Sequence, residues 1–189
     1  MPGPYFDKTS WPSFVHLGTT YGLGHLDEYE FAVVDTDDQS RVIAVTFADH
    51  CFTRAQEPGD EPALIYPASD RKPGVFCFTR YTLSLGLVGH IAHAAAGNVW
   101  SIPSENFAAV PVVDRSGNPV LYGIVFSLDP VKGLPVDLHM RVQTAYPVDE
   151  KELVTFGHVR FRHLVALRMR GERPKRIFDR HRKKPRNPA

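Results

Sequence analysis

VLYGIVFSLDPVKGLPVDLHMRVQTAYP, residues 120–147, decides the fold. Two runs of alternating character flank the turn-forming DPVKGLP. Val120, Tyr122, Ile124, Phe126 and Leu128 share one side of the first run, and Val136, Leu138, Met140 and Val142 share one side of the second. A period of two is the signature of a strand. A Gly- and Pro-containing turn of this length joins antiparallel neighbours. The other side of the second run is polar, with Asp137, His139, Arg141 and Gln143 followed by Thr144 and Tyr146. A polar row on a strand faces solvent or a ligand.

Working outward toward the N-terminus, Phe107–Val113 and Val99–Ile102 read as two more strands, with DRSGNP as a hairpin turn. Trp100, Phe107, Tyr122 and Phe126 are expected to alternate into one apolar face. Before them, the spacing of Leu83, Leu87, Ile91 and Ala94 predicts a helix over 79–96. Thr79 is its expected cap and Gly97-Asn98 its left-handed stop, while Gly86 and Gly89 predict that it is short or bent. A helix followed by a four-strand meander predicts an α+β fold, with one main helix on a four- to six-stranded, mostly antiparallel sheet. Glu30–Asp35 and Arg41–Phe47 read as a hairpin across DTDDQS, and its joining the main sheet is left open. Ala63–Tyr66 reads as a short strand, and residues 1–28 as an irregular arm laid over the body. Leu164, Val165, Leu167 and Met169 predict that 161–171 docks as a last strand or helix. Residues 1–170 are thus expected to form a single domain, with 171–189 as a flexible basic tail.

Composition sets limits on function. With 12 Phe, 7 Tyr and 2 Trp in 189 residues, the chain is too aromatic to be disordered throughout. Two cysteines do not make a disulfide framework. No basic-then-apolar leader opens the chain and no apolar run approaches membrane length, so a cytoplasmic protein without membrane partners is expected. The net charge of +1 conceals an asymmetry: residues 159–189 hold twelve Lys or Arg against Glu172 and Asp179, and residues 1–158 hold ten bases against nineteen acids.

Clustered cations bind polyanions by releasing condensed counterions. Lys175, Arg176, Arg180, Arg182, Lys183 and Lys184 are therefore expected to contact RNA or a nucleoprotein such as the ribosome. The alternative partners are another acidic protein and the chain's own acidic body. On the polar row, His139 titrates near neutrality and can move a proton. Arg141 can hold a phosphate, with Gln143, Thr144 and Tyr146 beside it. His50 and Arg54, at the end of another strand, complete an acid–base pair with His139 if the two strands meet. His50 and Cys51 are adjacent and point apart, which argues against a thiol nucleophile. His90 and His93 stand three apart on the predicted helix, without the further ligands a metal needs. No metal and no cofactor are expected.

The element order over 79–147, ending in VQTAYP, resembles the superfamily of metal-independent ribonucleases that includes barnase, EndoU, colicin and RelE-type toxins. The resemblance implies an active sheet face turned away from the helix, carrying His139 and Arg141 with Thr144 and Tyr146 at its end. That superfamily often places a catalytic His or Lys on or after its helices, where only His90 stands near. Taken together, HCFTR, RYTLS, GNVW and VQTAYP are similar to bacterial proteins of mobile-element neighbourhoods. Two readings follow. In the first, the protein is an RNA-directed endoribonuclease of toxin type, with His139 and His50 exchanging protons. In the second, it is a non-enzymatic module of a phage or mobile element that binds nucleic acid or nucleoprotein and inhibits a host system.

Overall fold

In the computed structural model, the structure describes residues 5–6, 10–67, 73–102, 105–114, 116–148 and 157–174. Along the chain these form β1 (Phe14–His16), β2 (Thr19–Tyr21), β3 (Tyr29–Val34), β4 (Ser40–Phe47), β5 (Thr53–Ala55), β6 (Ile65–Tyr66) and β7 (Gly74–Phe76). Then come α1 (Phe78–Ser84), α2 (Leu87–Ala96), β8 (Asn98–Ser101), β9 (Asn106–Val113), β10 (Pro119–Pro130), β11 (Leu138–Pro147), β12 (His158–Arg160) and α3 (Phe161–Met169).

The fold is α+β. Among the described residues its main sheet has seven strands in the order β12-β8-β9-β10-β11-β4-β3, larger than the expected four to six. The hairpin β3–β4 does join it, and β4 lies parallel to β11 while every other pairing is antiparallel. Asp137 starts that parallel register: its N–H donates to Val42 O at 2.9 Å, and its carboxylate accepts from the Val42 N–H at 2.8 Å. The alternation read from sequence holds on the inner face, where Tyr122, Ile124, Phe126, Leu128, Leu138, Met140 and Val142 are buried under the helices. Phe107 departs from it. Its register partner is Val125, so it lies on the opposite, outer face from Tyr122 and Phe126. It is buried there against Trp100 and over Gly123.

Among the described residues there are three helices: the main one expected over 79–96 is broken at Leu85-Gly86 into α1 and α2, and α3 follows β12. Leu83, Leu87, Ile91 and Ala94 still share the buried stripe. Neither expected cap forms: the N-cap is Cys77, without a side-chain bond, and Gly97 is extended (φ −115°) rather than left-handed. Within the segment 161–171, Phe161–Met169 form a helix whose Phe161, Leu164 and Val165 enter the core. Pro62–Leu64 form a 3-10 turn leading into the two-residue β6. The N-terminal arm is more ordered than its composition suggests. It holds the hairpin β1–β2, turned on Leu17 and Gly18, both at positive φ. The hairpin packs with β5-β7-β6 around Trp11, Phe14, Phe52, Tyr66 and Phe76, with Phe14 stacked on Phe76 at 4.2 Å.

Candidate functional site

The polar row lies on the outer face of β11, and cross-strand register fixes its neighbours. His139 stands between Asp129 of β10 and Ala44 of β4, and Arg141 between Ser127 and Thr46. Val125 pairs with Thr144 while Phe126 pairs with Val142, which leaves Gln143 as the extra residue of a bulge. Strict alternation would send Thr144 and Tyr146 to the inner face. The bulge returns them to the outer one, beside His139 and Arg141.

Most of this row is already engaged. His139 Nε2 and Thr46 Oγ1 share a hydrogen bond of 2.7 Å, and Phe6 stacks on the imidazole at 3.8 Å. The backbone N–H groups of Tyr5 and Phe6 donate to the Glu28 carboxylate, and the Tyr5 hydroxyl donates to Glu30. The N-terminal segment thus sheathes His139. Burial pushes the imidazole pKa below its ordinary 6.5, the Arg141 charge adds to this, and Asp129 opposes it. His139 is therefore neutral at physiological pH and poorly placed to act as an acid. Gln143 donates to Glu105 Oε1 at 2.6 Å, and Asp137 is held in the strand ladder. Arg141 is the exposed member.

At the other end of β11, three expected residues meet around one that sequence reasoning passed over. Arg80, on α1, donates to the carbonyls of His50 and Thr53, both at 2.8 Å, and to Thr144 Oγ1 at 3.4 Å. Its guanidinium lies 5.3 Å from the centre of the Tyr146 ring. Thr144 Oγ1 donates to His50 O at 3.3 Å. Arg80 stands in the quoted RYTLS stretch, but nothing local in the sequence points it at β11.

The two ends do not form one acid–base site. Five residues of strand separate His139 from Thr144, roughly 15 Å. Arg54, expected to steady a phosphate with them, instead forks onto Asp60 and donates to Ala55 O at 2.9 Å. Cys51 is fully buried and its thiol pKa is pushed up by that burial, so no nucleophile stands there. Among the described residues, no group of three or more His, Cys, Asp or Glu is placed to hold a metal. The same residues contain no helix long and apolar enough to cross a membrane.

The arginines of α3 and its C-cap Arg170 are spent on the body. Arg162 donates to the carbonyls of Val34 and Asp35, Arg168 to Leu128 O and the Asp129 carboxylate, and Arg170 pairs with Asp37. Lys175, Arg176, Arg180, Arg182, Lys183 and Lys184 lie outside the described residues.

Fold and site thus describe a mixed α+β protein whose sheet presents a largely engaged polar strand. A family model matches residues 13–169, and the chain belongs to the YjaZ family. No curated protein and no solved structure matches the chain. The match stops at the last residue of α3, so 170–189, with nine of the chain's 22 Lys and Arg, lies beyond it.

Proposed function

We propose that this protein binds RNA through its cationic C-terminal segment and carries out no catalytic step on it. The observation that carries the reading is where the positive charge is available. Arg162, Arg168 and Arg170 are committed to carbonyls and carboxylates of the body. C-terminal to Pro174 follow seven Lys or Arg against the single acid Asp179. The outer sheet face is a poor bed for phosphates, since Glu28, Glu30 and Asp129 flank Arg141 and His139 there. Against the ribonuclease reading stand the roughly 15 Å of strand between His139 and Thr144 and the sheathing of His139 by Phe6.

The test is fluorescence anisotropy with a labelled single-stranded RNA at several salt concentrations, using the full chain and a chain ending at Pro174. Log affinity of the full chain should fall linearly with log salt. The slope approaches about −5 if all seven cations meet phosphates of a single strand. The shortened chain should lose binding, whereas His50→Ala and His139→Ala should leave it unchanged and the RNA intact. Equal binding by the shortened chain refutes the proposal. RNA cleavage that His139→Ala abolishes would reinstate the enzyme.

A further inference from the structure

A cavity of about 270 Å³ opens beside the end of α3, between the start of β9 and the end of β10. Its wall is polar and its charges are unevenly used. Glu105 Oε1 accepts from Gln143, but Glu105 Oε2 is buried and has no hydrogen-bond partner among the described residues. Asp129 and Arg168, also on the wall, neutralise each other, and Arg168 further donates to Leu128 O and Glu172 O. Asn106 uses its amide N–H on Phe126 O, at 3.4 Å, which leaves its side-chain carbonyl available. Arg173 lines the cavity and has no ion pair among the described residues. Once the pairs within the wall are set aside, one carboxylate oxygen without a donor and one guanidinium without an ion pair remain among the described residues.

A carboxylate oxygen removed from water without a donor costs on the order of 1–3 kcal/mol, and a charged donor recovers the most. The Arg173 guanidinium, exposed at the edge of the cavity, can exchange its water for a carboxylate or phosphate. The volume lies just under the range of about 300–1,000 Å³ usual for drug-sized ligands, and suits a metabolite the size of an amino acid. We propose that this cavity binds a small zwitterion of the amino-acid type, its ammonium or guanidinium on Glu105 and Asn106 and its carboxylate on Arg173. The site is independent of the RNA-binding reading, because Glu105 and Asn106 lie at the turn into β9 and no RNA is needed to occupy it.

Isothermal titration of the full-length protein, without RNA, tests it with L-arginine and with agmatine, which keeps the guanidinium and amine but lacks the carboxylate. L-arginine should bind saturably and at least about tenfold more tightly than agmatine, as expected when one charged pair is lost. Arg173→Ala should erase that difference while leaving agmatine binding unchanged. Glu105→Gln should abolish binding of both. If Glu105→Gln does not fold, Asn106→Ala serves in its place and should weaken both ligands alike. Absence of saturable heat with L-arginine overturns the proposal and leaves water as the occupant. So does indifference of binding to Arg173→Ala.

Discussion

Tyr122 illustrates how a residue reads one way in sequence and another in the fold. Its place in the alternating run makes it core, and it is fully buried on the inner face. Its hydroxyl, however, has no hydrogen-bond partner among the described residues. Burial drives the phenol pKa far up, so the group stays neutral but remains unsatisfied. An unpaired buried hydroxyl costs about 1–3 kcal/mol. Tyr122→Phe keeps the ring, removes the oxygen, and should raise stability by about 1 kcal/mol in urea denaturation. Destabilisation by a comparable amount would reveal a partner for the hydroxyl. The histidines act at the same scale but through pH. Burial is the main cause holding His25, His90 and His139 below 6.5. Between 6.5 and those lowered values the unfolded chain binds protons that the folded chain refuses. Stability is therefore full above pH 6.5 and drains as pH falls below it. The carboxyl of Asp35 acts in a separate window. Burial alone would raise its pKa, but the N–H of Gln39, the Arg41 guanidinium and the N–H of Asp37 together hold it below 3.8. Its contribution is lost only below that value. Thermal melts should therefore show a first loss as pH falls below 6.5, shallower in His139→Gln, and a second one below 3.8. A melting temperature flat from pH 7.5 to 5.5 would contradict this.

Elements show where local pattern suffices and where it stops. Alternation and turn chemistry place β8 to β11 within a residue or two, because a strand's period and a Gly- or Pro-bearing turn are properties of neighbouring residues. Three features depend on partners distant in sequence and could not be read the same way. The parallel join of β4 to β11 links Val42 with Asp137 across an intervening sheet, two helices and a hairpin. The bulge at Gln143 is visible only as a slip between β10 and β11. The face taken by Phe107 follows from its pairing with Val125, and parity within its own strand does not reveal it. The candidate site suffers most from these features. The row on β11 is legible, but its cover by Phe6 and its clamp by Arg80 come from segments that share no pattern with it. The Phe107 contact can be tested directly. A Cβ added at Gly123 would lie 2.7 Å from the Phe107 ring and 2.8 Å from Val148 Cγ1, closer than carbon atoms approach. Two side chains must then move within a packed outer layer. Gly123→Ala should cost about 1–3 kcal/mol, measured as a lower denaturation midpoint at unchanged m-value. Full stability in Gly123→Ala would mean that Phe107 does not lie across β10 as described.

For the whole molecule, the element that closes the structure is α3. It follows β12 at one edge of the sheet, yet Arg162 and His163 reach Val34, Asp35 and Thr36 next to β3, at the opposite edge. Seven strands laid flat would span close to 30 Å, and a nine-residue helix is only about 13 Å long. The sheet must therefore curl around the helix for both edges to touch it. Phe161 lies at the centre of that curl, with its ring 6.3 Å from both Phe31 of the edge strand β3 and Phe126 of the central strand β10. Its removal takes away contacts to both halves of the sheet at once, and no nearby side chain can refill the gap without uncurling the strands. Phe161→Ala should cost about 3–5 kcal/mol, the range for a fully buried aromatic ring. A chain ending at Gly157 should not fold cooperatively, because β12 and the inner cover of β10 go together. Exposed Phe78 is the matched control, and Phe78→Ala should change stability by less than about 1 kcal/mol. If the chain ending at Gly157 kept a sharp thermal transition, the edge strands would be held by something other than α3, and the curl would be a property of the sheet alone.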